Sequence, residues 1–241
     1  MVKNRNPKKK ILIENIDNEK SPYVPEKVEG NEDRQFFWFI AITLIVFASF
    51  LVPYFYFESK KNFEFENIYW TVEEHNIEIY HGIFPKFTEQ GGTYNIYLRN
   101  DPRENDVPVS GELSSFTKNG FVSVTPEFEQ CVGGGVYRMI IDLSGFLRGT
   151  LGMQNLEAAT TSLERSEETN TTYIDCTSVD QTVIILQTGN ESLISQSPES
   201  PGCYTIQVRS CDDVAPIEKF IVETYSTLYK ILNVERTNSI R

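Results

Sequence analysis

The sequence predicts a single transmembrane helix followed by a mainly-β ectodomain, an antiparallel β-sandwich or barrel-like fold, and three observations carry that prediction. One run, Phe36 to Phe57, holds 22 residues without a charge. Beyond it, apolar residues recur mostly with period two, the spacing of strands with one buried face. All four cysteines, Cys131, Cys176, Cys203 and Cys211, lie on the far side of the run.

Residues 1–35 come first and hold eight basic against seven acidic residues, with few large apolar side chains. Such a segment cannot bury enough surface to offset its ordering entropy, so it reads as a disordered cytoplasmic tail. Its cluster Lys8-Lys9-Lys10 sits some 25 residues from the apolar run and is diluted by acids, which makes it a solvated feature and not a lipid-binding one.

Residues 36–57 follow as a transmembrane signal-anchor helix. At about 1.5 Å per residue they reach roughly 33 Å, enough to cross a bilayer core. Phe36, Phe37 and Trp38 at one end and Tyr54, Phe55, Tyr56 and Phe57 at the other are the aromatic residues that settle at membrane interfaces. A cleaved signal peptide has a short basic leader and a small-x-small site after its apolar core. Here the run follows 35 residues and ends Pro53-Tyr54-Phe55-Tyr56, so the anchor reads as uncleaved. The acids Glu14, Asp17, Glu19, Glu26, Glu29, Glu32 and Asp33 disfavour a mitochondrial presequence.

The eight basic residues before the run, against Lys60 and Lys61 after it, favour a cytoplasmic N-terminus and a single-pass type II protein of the plasma or a secretory-pathway membrane. The cysteines agree, since disulfides persist in oxidising compartments. So do two sequons in turn-rich stretches, Asn170-Thr171-Thr172 and Asn190-Glu191-Ser192, which make Asn170 and Asn190 candidate glycosylation sites.

Residues 58–241 form the lumenal or extracellular β-rich domain. Residues 68–72 and 77–80 read as a first hairpin, "TYNIYLRN" as a half-buried strand, and "GFVSVTP" as a strand entered through a hairpin turn at Asn119-Gly120. "VYRMIIDL" (136–143), "QTVIILQ" (181–187) and "CYTIQVRSC" (203–211) read as further strands. Two stretches depart from period two. "NLEAATTSLERSEE" (155–168) predicts a short helix or surface excursion behind an Asn155 cap. In 215–234, Ile217, Phe220, Ile221, Thr224, Leu228, Ile231 and Leu232 share one helical face, so an amphipathic helix packed on the sheet is preferred to a strand.

If 203–211 is one extended strand, its two cysteines stand roughly 26 Å apart, beyond the reach of a bridge. Cys203 and Cys211 are therefore each expected to pair with one of Cys131 and Cys176.

No catalytic or metal-binding constellation emerges, and no cofactor is implied. His75 and His81, with Glu73, Glu74 and Glu78 nearby, read as polar residues of an exposed hairpin. "VGGGV" (132–136) reads as a glycine-rich approach to a strand, and Asp142, Ser144 and Arg148 lack a base for the serine. With 14 basic and 27 acidic residues, 58–241 repels nucleic acid and anionic surfaces.

The expected partners are the bilayer and a membrane protein. The leading function is a non-catalytic binding ectodomain, as receptor module or as auxiliary subunit of a larger membrane protein. A structural or assembly subunit of a membrane complex comes second. A membrane-tethered lumenal enzyme comes third: the layout of tail, anchor and lumenal body is similar to that of Golgi glycosyltransferases, but the Asp-x-Asp motif common among them is absent.

Overall fold

The computed structural model describes residues 31–74, 76–88, 91–131, 133, 135–177 and 180–239. They fall into two units that divide between Leu51 and Val52.

The described residues of the first unit are helical. Helix α1 runs from Asn31 to Lys61, and within Arg34–Lys61 an 18-residue window has a mean hydropathy of 2.4, so the helix is long and apolar enough to cross a membrane. The large apolar side chains from Phe36 to Phe57 are exposed. The hydroxyls of Thr43 and Ser49 donate to the carbonyls of Phe39 and Val46, so these polar groups are satisfied within the helix, as an apolar surrounding demands.

The second unit contains two sheets. Strands β1 (Asn62–Phe65), β2 (Ile68–Glu74), β3 (Glu78–Pro85) and β4 (Thr93–Leu98) form an antiparallel meander. The β1–β2 turn consists of Glu66 and Asn67, with φ of 52° and 60°, the positive values that let a two-residue hairpin follow the twist of its strands. The second sheet has the order β5-β10-β11-β9-β6-β7-β8. Its members are β5 (Val109–Ser110), β6 (Asn119–Val124), β7 (Asn155–Thr160), β8 (Thr172–Tyr173), β9 (Thr182–Thr188), β10 (Leu193–Gln196) and β11 (Cys203–Val208). Antiparallel pairing, expected throughout, holds for the first sheet and for β10 with β11; β11, β9, β6, β7 and β8 run parallel.

That parallel centre corrects three local readings. Residues 136–143 are not a strand but part of helix α3 (Gly135–Gly149), because the buried positions Val136, Met139, Leu143, Phe146 and Leu147 recur at three- and four-residue intervals that an eight-residue window truncates. Asn119-Gly120 is not a hairpin turn. It opens β6, where a Cβ on Gly120 would lie 2.5 Å from both the Met153 side chain and the Thr182 carbonyl, so glycine serves close packing here. "NLEAAT" is strand β7 and not a helix: its helix formers yield to pairing with β6, and the helix starts later as α4 (Leu163–Thr169), capped by the Ser162 hydroxyl instead of Asn155.

Short helix α2 (Pro126–Glu129) follows β6, and helix α5 (Ala215–Ser239) is the last described element, a helix as its spacing predicts. Helices α3 and α5 lie between the sheets. Phe84 of β3 meets Phe146 of α3 and Tyr225 of α5, while Phe220 of α5 meets Tyr204 of β11, so one apolar core reaches both sheets through the helices. The body is layered like a sandwich, with helices as its filling. This explains why the first turns of α5 bury Val222 and Tyr225 as well as Ile217, Phe220 and Ile221. A helix covered on two sides keeps only a narrow polar strip there, Lys219 paired with Glu223. Tyr94 of β4 crosses α3 over Gly145 and Gly149; a Cβ at Gly145 would come within 2.3 Å of its hydroxyl, so the glycine pair forms the slot that seats the ring.

Candidate functional site

Parallel α/β sheets usually place ligands beyond the carboxyl ends of their strands, at the point where the strand order reverses. In this sheet that point lies between β6 and β9, and protein fills it. Chain leaving β6 turns at once into α2, with the Thr125 hydroxyl accepting from the Phe128 N–H. Cys131 after α2 is bridged to Cys211 after β11, with Cα atoms 4.9 Å apart. The start of α3, within the "VGGGV" segment, is taken as well: the Gly135 N–H donates to Asp212 Oδ1 at 3.1 Å and the Val136 N–H to the Cys211 carbonyl. A carboxylate of the chain itself occupies the position an anion would need.

Cys176 and Cys203 form the second bridge, with Cα atoms 5.5 Å apart. It pins residues 174–176 over the far face of the sheet, where Ile174 packs with Val183, Ile185 and Phe121. β11 is a single strand, and Cys203 and Cys211 do not pair.

The other singled-out residues are scattered. His81 stacks on Tyr97 with ring centres 4.6 Å apart and has Nδ1 3.3 Å from Glu73, whereas His75 lies outside the described residues. Asp142 pairs with Arg138 at 3.6 Å on α3, and burial raises its carboxyl above the usual range. Arg148 turns away to donate to the Leu156 carbonyl at 2.6 Å, so Asp142, Ser144 and Arg148 form no catalytic cluster. Asn170 is exposed in the left-handed cap of α4, with φ of 51°, and Asn190 is exposed in the bend after β9.

A different surface stands out. Helix α3 carries a second apolar stripe, Tyr137, Ile140 and Ile141, turned away from the core stripe. Tyr137 and Ile140 border two adjoining hollows of about 300 Å³ and 280 Å³, which also share Val124. Leu156 and Ala159 of β7 line the floor of the first, and Phe128 and Arg165 the second. Arg165 is held there by Glu129, Nε to Oε2 at 2.9 Å, and by Glu168. Tyr137, which lines both hollows, is 53% exposed, and Ile141, one turn further along α3, is 60% exposed; between them and the face of β6 and β7 the sheet is incompletely covered. The strand reading of 136–143 hid this stripe; carried on to Phe146 and Leu147, the same residues resolve into two helical faces.

The chain matches no known protein family, no curated protein and no solved structure.

Proposed function

We propose that this chain is a non-catalytic, single-pass type II membrane glycoprotein whose disulfide-stapled body faces the lumen or cell exterior and binds a membrane-protein partner as an auxiliary subunit. The observation that carries the proposal is the groove beside α3, an apolar surface with exposed aromatic and aliphatic residues on a body whose usual ligand position is filled by α2 and a disulfide. The apolar helix ahead of that body and its two bridges support the placement.

The test uses full-length protein solubilised mildly from its native membrane. One stoichiometric multi-pass partner is expected to co-purify. Tyr137→Glu combined with Ile141→Glu is expected to reduce that recovery at least tenfold while leaving the fold intact, since both side chains are largely exposed. A burial of two such side chains is worth about 3 kcal/mol or more, ample for that loss. Recovery of a lone monomer from wild-type membranes would remove the auxiliary reading.

Glycosylation tests the orientation. Endoglycosidase is expected to shift the gel mobility of native material, and Asn170→Gln to remove part of that shift. Unchanged mobility after treatment would count against both glycans and weaken the lumenal placement.

A further inference from the structure

The last turn of α1 runs without a linker into β1, and beside that junction the body opens a polar cleft of about 530 Å³, within the range of roughly 300–1,000 Å³ typical of small-ligand sites. Lys60 and Lys61 contribute from the helix. Glu78 and Tyr80 of β3 and the turn at Asp101–Glu104 contribute from the body. The geometry points to a site for the headgroup of a zwitterionic phospholipid, its phosphate against Lys60 and Lys61 and its ammonium against Glu78 and Glu104.

The order of charges carries this assignment. Lys60 and Lys61 follow the apolar run by only three and four residues, which sets them at the level of lipid phosphates if α1 spans the bilayer. Glu78 and Glu104 line the same cleft from the body and not from α1. A zwitterionic headgroup has the same sequence, phosphate next to the acyl chains and ammonium beyond it. Lys61 Nζ lies 3.4 Å from Glu74, and Lys60 Nζ sits 4.8 Å over the Tyr56 ring, so both cations are held at the cleft by weak, exposed contacts that a phosphate can replace. Tyr80 donates to Glu78 at 3.2 Å, and its phenol is pushed up to about 12 by burial and then by the negative charges of Asp101 and Glu78. Arg103 on the same wall is taken up by Asp101 at 2.6 Å, which leaves Glu78 and Glu104, with the Tyr80 ring, to meet an ammonium. An anionic headgroup brings no positive group to these acids and is disfavoured by them.

This inference rests on the membrane reading above, and the experiment separates the two. Full-length protein is purified in detergent, given equimolar phosphatidylethanolamine, phosphatidylcholine and phosphatidylglycerol, and analysed by native mass spectrometry. The zwitterionic lipids are expected to be retained at least fivefold over phosphatidylglycerol. Glu78→Gln with Glu104→Gln, substitutions of exposed side chains, is expected to abolish the preference, and Lys60→Gln with Lys61→Gln to lower retention of all three lipids. Equal retention of the three by wild type, or an unchanged preference in the acid variant, overturns the headgroup site. In parallel, the protein is reconstituted in vesicles and washed with alkaline carbonate: retention with no lipid preference refutes the headgroup site alone, and release refutes the membrane reading and the site with it.

Discussion

Replacing Cys131 and Cys211 together by alanine is expected to lower the stability of the body by about 4.5 kcal/mol, since the bridge closes a loop of 80 residues and the loss of that constraint enlarges the unfolded ensemble. Cys176→Ala with Cys203→Ala, which opens a loop of 27 residues, is expected to cost about 3.5 kcal/mol. For a body of this size the larger loss corresponds to a fall in Tm on the order of 10–15 °C. Thermal unfolding of the two double variants beside wild type, all full length and in the same detergent, measures both. The ranking carries the physics. If the Cys176–Cys203 pair proves costlier, its role in holding Ile174 over Val183 and Ile185 outweighs loop closure, and the chain-entropy account of these bridges is wrong.

Glu218→Ala is expected to cost about 3 kcal/mol at pH 7.5, and about 1 kcal/mol more at pH 5. Glu218 is fully buried in the first turn of α5. Its carboxylate accepts from the Arg99 N–H at 2.6 Å, the Asn100 N–H at 3.2 Å and Asn100 Nδ2 at 2.6 Å, while Asn105 Nδ2 donates to the Ala215 carbonyl close by. One side chain thus ties the exit of β4 to the central helix, and its removal leaves two backbone donors without their acceptor. Burial pushes the carboxyl up to about 6, against the pull of those three donors. A folded value above the ordinary 4.5 means that the folded state holds the proton more tightly. This group therefore favours the fold fully below about pH 4.5, and that contribution is lost as pH rises through about 6. Denaturant unfolding of wild type and variant at pH 5 and pH 7.5 gives the result directly: a cost that shrinks on acidification would show that hydrogen bonding, and not burial, sets the titration.

Much of the first sheet was legible from the chain. "IYWTV" and "TYNIYL" alternate cleanly because each has one face on the core and one in solvent, and the amphipathic spacing of 215–234 gave α5 its type. The second sheet was less legible for a physical reason. A strand such as β9, covered on both faces, shows no alternation, and "TVIILQ" looks alike whether its neighbours run parallel or antiparallel. The βαβ connection was lost when 136–143 was read as strand, since without a helix there a parallel crossover cannot be built. The groove went with it, because Tyr137 and Ile141 become neighbours only on a helix. The strand expected over 203–211 ends at Val208 and turns before Cys211, yet six extended residues are enough to keep Cys203 and Cys211 apart, and each bridges elsewhere.

The position of α5, after every strand in sequence and at the centre of the core, bears on the order of folding. Glu66 in the first hairpin accepts from Ser226 and, at 2.8 Å, from Lys230, a contact across 164 residues of sequence. Neither sheet can fully bury its inner face until α5 arrives, so a growing chain holds Phe84 and Tyr204, which both meet α5 side chains, partly uncovered until residues 215–239 have been made. Closure of the core then waits on these long-range contacts, which makes it slow and vulnerable to aggregation. A chain stopped before Ala215 is predicted to remain a substrate for chaperones, however complete its strands.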